Sequence, residues 1–120
     1  MYVELHARSA FSFLEGASLP ENLMIRCAEL GMPAMALLDR NGLYGAPRFH
    51  VTAEKLGLHA HIGAEIAVLD AGERARPPAW LPHSVLVEPV RFSLLAESTI
   101  GYQNLCRLIT RYKLREGTKA

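Results

Sequence analysis

The chain has 120 residues, of which 50% are apolar, and a formal net charge of +1 at neutral pH. That length allows one small domain or part of a larger one, and the apolar content predicts a packed core and excludes a disordered chain. The near-balanced charge gives no global case for nucleic acid, and no stretch has the length and apolarity of a membrane span.

Tyr2 to Leu5 reads as a short apolar strand ending on His6, with Arg8 two residues further on the same face. A Ser/Phe-rich turn follows and closes on Gly16. Ser18-Leu-Pro-Glu21 has the form of a capping box, with Ser18 as N-cap and Glu21 reaching back. Leu23, Cys27 and Leu30 then recur at helical spacing, Gly31 supplies the helix stop and Pro33 blocks continuation. Ala34 to Leu38 is wholly apolar, as a parallel strand buried on both faces should be. Asp39 to Gly45 is rich in turn residues. Pro47 opens a second helix, with Phe49, Ala53 and Leu56 on one side and Gly57 as its stop.

A third strand is predicted over His59 to Gly63, extended by Ala64 to Leu69 after a kink at Gly63. The order βαβαβ over residues 1–69 predicts a parallel sheet with right-handed crossovers. Residues 70–84 form an irregular Pro-, Gly- and charge-rich excursion. Residues 85–120 hold a predicted strand pair, Val85 to Val87 with Phe92 to Ala96, and an amphipathic helix from Ser98 to Leu114. Leu105, Leu108, Ile109 and Tyr112 form its apolar stripe. Arg107, Arg111, Lys113, Arg115 and Lys119 form a basic one, read as a solvated face. Cys27 and Cys106 have no CxxC or Cys-His spacing and read as buried, inert thiols rather than zinc ligands. No signal peptide precedes the first strand, so the cytoplasm is the expected compartment.

Ligands in parallel α/β folds bind outside the carboxyl ends of the strands. Three polar residues fall there: His6 closes the first strand, Asp39 follows the second, and Glu65 lies in Ile62-Gly-Ala-Glu65. An imidazole and two carboxylates converging at one mouth could hold a divalent metal. Taken singly, each has a plainer reading as a satisfied polar residue or a turn residue. His59-Ala-His61 would present both rings on one strand face, but it lies before Gly63 rather than at a strand end. His50 and His83 have no visible partner in the sequence.

Three stretches, YVELHARSAFSFLEGASLPENL, ELGMPAMALLDRNGLYGAPRFHVTAEKLGLHAHIGAEI and LLAESTIGYQNLCRLITRYKL, together resemble the PHP domain (polymerase and histidinol phosphatase) that opens bacterial C-family DNA polymerases. The resemblance is strongest to the DNA polymerase III alpha and error-prone alpha-like group. It implies a distorted (β/α)7 barrel with metal ligands at the strand C-termini, of which this chain is an N-terminal part. The family's first three motifs read H-x-H, D-H and G-x-E. Here they read His6-Ala7-Arg8, Asp39-Arg40 and Gly63-Ala64-Glu65, so His6, Asp39 and Glu65 match and Arg8 and Arg40 replace histidines. Further family ligands, and the palm carboxylates of nucleotidyl transfer, would lie beyond Ala120.

Arginine keeps its proton and cannot ligate a cation. The expectation is that Arg8 and Arg40 fill the former metal volume and pair with Glu65 and Asp39, leaving a degenerate site that needs no cofactor. If the site were retained, zinc or manganese would be its metal. A rival use of the two arginines is phosphate contact. The resemblance implies a structural segment of a replicative or error-prone DNA polymerase, serving replication or repair. Its partners would be the remainder of that polypeptide or other replication and repair subunits, with DNA reached only indirectly. The alternatives are a metal-dependent phosphoesterase or proofreading exonuclease using His6, Asp39 and Glu65, and a stand-alone interaction module. A half barrel leaves edges and apolar faces open, which predicts self-association or poor solubility.

Overall fold

The computed structural model describes residues 1–68 and 90–117. The excursion expected at residues 70–84, with His83, and the strand expected at Val85 to Val87 lie outside them. The elements run β1 (Glu4–Ala7), α1 (Pro20–Glu29), β2 (Ala34–Arg40), α2 (Ala46–Leu56), β3 (His59–Val68), β4 (Val90–Leu95) and α3 (Thr99–Gly117). The four strands form one sheet in the order β1-β2-β3-β4. β1, β2 and β3 are parallel, as the βαβαβ reading expects, and β4 returns antiparallel along the second half of β3.

The first helix begins differently from the capping-box reading. Its N-cap is Leu19, held extended before Pro20, and no side chain caps it. Glu21 instead pairs with Arg48 of α2, tying the two helices together. The helix end follows the sequence closely. Gly31 takes φ +68°, its N–H donates to Ala28 O, and the Met32 N–H donates to Cys27 O, which satisfies two terminal carbonyls as a Schellman motif. Gly57 ends α2 in the same way, with Leu58 N–H donating to Ala53 O.

Pleating sorts β2 onto two faces. Met35 and Leu37 meet Met24 and Cys27 of α1 and Phe49 and Ala53 of α2 in the main core. Leu30 and Leu56, expected on these apolar stripes, are exposed, because each lies at the helix end beyond the sheet's cover. β3 is one uninterrupted strand rather than two pieces about a kink. Gly63 serves a close approach: a Cβ there would sit 2.2 Å from the Leu94 carbonyl oxygen of β4. Beyond it, Ala64 and Ile66 pack with Leu94 and with Leu105, Ile109 and Tyr112 of α3 in a second, smaller cluster. Leu108, also expected in that stripe, is exposed. Cys27 is buried, and Cys106 is half-buried. The helices thus cover one face of the curled sheet, and the candidate site forms on the other.

Candidate functional site at the strand ends

The β2–β3 register sets Arg40 beside Glu65, so both side chains rise from the same face, away from the helices. The β3–β4 register sets Arg91 opposite Ala67, on that face one pleat further along. In β1, Ala7 packs toward the helix-side core, which turns His6 the other way, and Arg8 follows directly. Four strands therefore bring His6, Arg8, Arg40, Glu65 and Arg91 together.

The sixth member comes from the β1–α1 loop. Ser12 N–H donates to Ser9 O, and the amides of Glu15 and Gly16 both donate to Ser12 O. Gly16 lies so close to the loop's own start that a Cβ would come within 2.2 Å of Ser9 O. Leu14 takes the left-handed conformation at φ 62°, costly for a leucine by about 1–2 kcal/mol. The turn points Leu14 into solvent and sends the Glu15 carboxylate inward.

The resulting contacts are specific. Arg8 donates from Nη2 to Glu65 Oε2 at 2.6 Å and from Nη1 to Glu15 Oε2 at 2.9 Å. Arg40 Nη1 meets Glu15 Oε1 at 3.0 Å. Arg91 bridges the same two acids, with Nη2 3.1 Å from Glu15 Oε1 and Nη1 3.2 Å from Glu65 Oε1. His6 Nε2 lies 2.7 Å from Glu65 Oε2. An ionised carboxylate only accepts, so that nitrogen carries the hydrogen. Burial pushes the Glu65 carboxyl upward, but the hydrogen bonds from Arg8 and His6 and the Arg8 charge outweigh it and hold it below the usual carboxylate range.

Asp39 has a different role from the one the sequence suggested. The register pairs it with Ala64, on the helix side of the sheet and opposite to Glu65. Its buried Oδ1 accepts from Ser9 N–H and Ser12 Oγ, and its Oδ2 accepts from Ser9 Oγ, each at 2.8 Å. Ser12 Oγ in turn accepts from Arg40 N–H at 3.0 Å. Asp39 thereby pins the β1–α1 loop to the end of β2. The expected partner of Arg40 is thus replaced by Glu15, because strand alternation puts Asp39 and Arg40 on opposite faces.

Glu15, Arg91, Ser9 and Ser12 escaped the sequence reading. The Ser9–Ser12 spacing in the turn was the one available signal, and Arg91 required knowing that β4 pairs with β3. Elsewhere, His59 and His61 are exposed on the first half of β3. His50 does have a partner, Glu54 one helical turn on at 3.4 Å. On α3, Arg107 and Arg111 are exposed, and Lys113 lies over the Tyr44 ring.

A divalent metal is what the parent fold would place at these strand ends. Among the described residues, no group of three His, Cys, Asp or Glu side chains is arranged to hold one. The His6 nitrogen facing the cluster points a hydrogen, not a lone pair, inward. Both Glu65 oxygens accept from guanidiniums, and Asp39 is engaged on the other face. This arrangement does not fit a dication.

A half-open, mostly parallel sheet with polar groups gathered at its strand ends defines a partial (β/α) barrel of the PHP type. A family model for the PHP domain matches residues 4–119, and the chain belongs to that family. It is 48% identical to an error-prone DNA polymerase of an Anaeromyxobacter species over 116 residues, covering 97% of this chain and 9% of that protein. It is 41% identical to the error-prone DNA polymerase of Mycobacterium tuberculosis over 118 residues, covering 98% of this chain and 10% of that one. The chain thus spans about a tenth of the length of the curated relatives it matches, in their N-terminal regions. Among solved structures, it resembles a protein assigned as a metal-dependent phosphoesterase from Bifidobacterium adolescentis, with a TM-score of 0.52 and 26% identity over 57% of this chain and 23% of that one. It resembles equally an amidohydrolase from Chromobacterium violaceum, solved with bound sulfate and no metal, with 57% of this chain and 24% of that one covered.

Proposed function

We propose that this chain is the PHP segment of an error-prone-type DNA polymerase and that its own role there is structural. The carrying observation is the match to error-prone polymerases along nearly the whole chain, together with its small share of their length. DNA synthesis would belong to the rest of such a polypeptide. The PHP segment would support the polymerase thumb and neighbouring contacts, touching DNA only indirectly and working in the cytoplasm. The degenerate metal site at His6, Asp39 and Glu65 belongs to the same reading, with no cofactor required. A chimera tests it: this chain is exchanged for the corresponding segment of the Anaeromyxobacter relative and primer extension is measured. The expected result is retained extension. A soluble, folded chimera without extension would contradict the proposal.

The phosphoesterase alternative needs a free base and metal ligands. The engaged oxygens of Glu65 and Asp39 argue against it. The phosphate reading of Arg8 and Arg40 has one observation in its favour: Arg40 Nε is buried without a partner among the described residues. Calorimetric titration with inorganic phosphate tests it. Equal heats from wild type and Arg40→Gln would remove it.

A further inference from the structure

We propose that the strand-end cluster is a metal-independent electrostatic clasp whose hub is Glu15, and that it fastens the β1–α1 loop to β4. A divalent metal draws several strand ends together by gathering carboxylates and imidazoles around one cation. Here the geometry is inverted. Two carboxylates, Glu15 and Glu65, are each gripped by cations from different elements. Arg8 and Arg91 each bridge both acids, so either guanidinium joins the loop to β3. Arg40 adds β2 through Glu15, and His6 adds β1 through Glu65.

Glu15 is the member that makes this a clasp rather than a patch of surface pairs. It accepts from three arginines, and its side chain is only 17% exposed although it lies on a loop. The loop is shaped to deliver it. The adjacent Leu14 is held at positive φ and is 89% exposed as a residue, a strained and solvent-facing arrangement. The Asp39 contacts fix the loop's start, and Glu15 fixes its far end. Arg91 lies far along the chain from Glu15, so the clasp closes a long-range contact that backbone pairing alone does not make.

A double-mutant cycle on the full chain tests the clasp, using Glu15→Gln, Arg91→Gln and the pair, with thermal melts recorded with and without excess EDTA. Each single variant is expected to melt several degrees below wild type. The double variant should melt below either single one, because it also loses the Arg91–Glu65 pair, but by clearly less than the sum of the two losses, and EDTA should shift none of them. Additive losses, or a wild-type melt lowered by EDTA, would overturn the proposal. If Arg91→Gln does not fold, Arg91→Lys keeps the charge but loses the planar fork whose two separate nitrogens reach Glu15 and Glu65. Hydrogen exchange at the Leu14 to Gly16 amides should then quicken, and unchanged exchange would overturn it equally.

Discussion

Glu65 shows how single side chains in this domain take their properties from neighbours on other strands. Its carboxyl is held below the ordinary value of 4.5, despite burial, by Arg8 and His6. A lowered folded pKa means that the group binds protons more readily in the unfolded chain. Its stabilising contribution is therefore present above the unfolded pKa and is lost as pH falls through the folded one. Stability should decline on acidification below about pH 4.5, and the decline should be shallower in Glu65→Gln. Urea melts across that range check this, and parallel profiles would contradict it. Asp39 makes a separate prediction. Asn in its place turns an amide toward donors that now face an acceptor, leaving a buried group unsatisfied. Asp39→Asn should cost about 1–3 kcal/mol in urea denaturation.

At the scale of elements, the strands and helices were legible where local chemistry decides them. The apolar run of β2, the prolines that open α1 and α2, and the glycines that close them all carry their meaning in a few adjacent residues. What the sequence could not show was partnership. β4 pairs with β3, and its register places Arg91 over the acids; nothing near Arg91 announces this. The His6, Arg8 and Glu65 positions could be read from family motifs, whereas Glu15 depends on a loop conformation set by Asp39 across the fold. The Asp39–Arg40 pairing expectation ignored the two-residue period of a strand, which puts neighbours on opposite faces. Gly63 marks the β3–β4 contact. Gly63→Ala would force a methyl against the Leu94 carbonyl and should destabilise the fold by about 1–3 kcal/mol, with faster exchange of β4 amides as the local signature.

The whole molecule has one well-covered core and one sparse one. Between α1, α2 and the parallel strands the packing is continuous, whereas α3 contributes Leu105 as its buried hydrophobic among the described residues. Val90, Phe92 and Leu95 of β4 and Leu108 and Leu114 of α3 are exposed. β1 and β4 are the edges of the described sheet. Open edges flanked by apolar side chains favour association. Light scattering should show mass rising with concentration, and Phe92→Lys should suppress the rise. A wild-type monomer at all concentrations would contradict this.

On the clasp reading, arginine–carboxylate pairing takes the place of a metal at the strand ends. Elemental analysis of the purified chain, after incubation with zinc or manganese and removal of unbound ions, tests this. The prediction is substoichiometric metal and an unchanged melting temperature. One bound metal per chain, accompanied by a rise in melting temperature that Glu65→Gln abolishes, would contradict it.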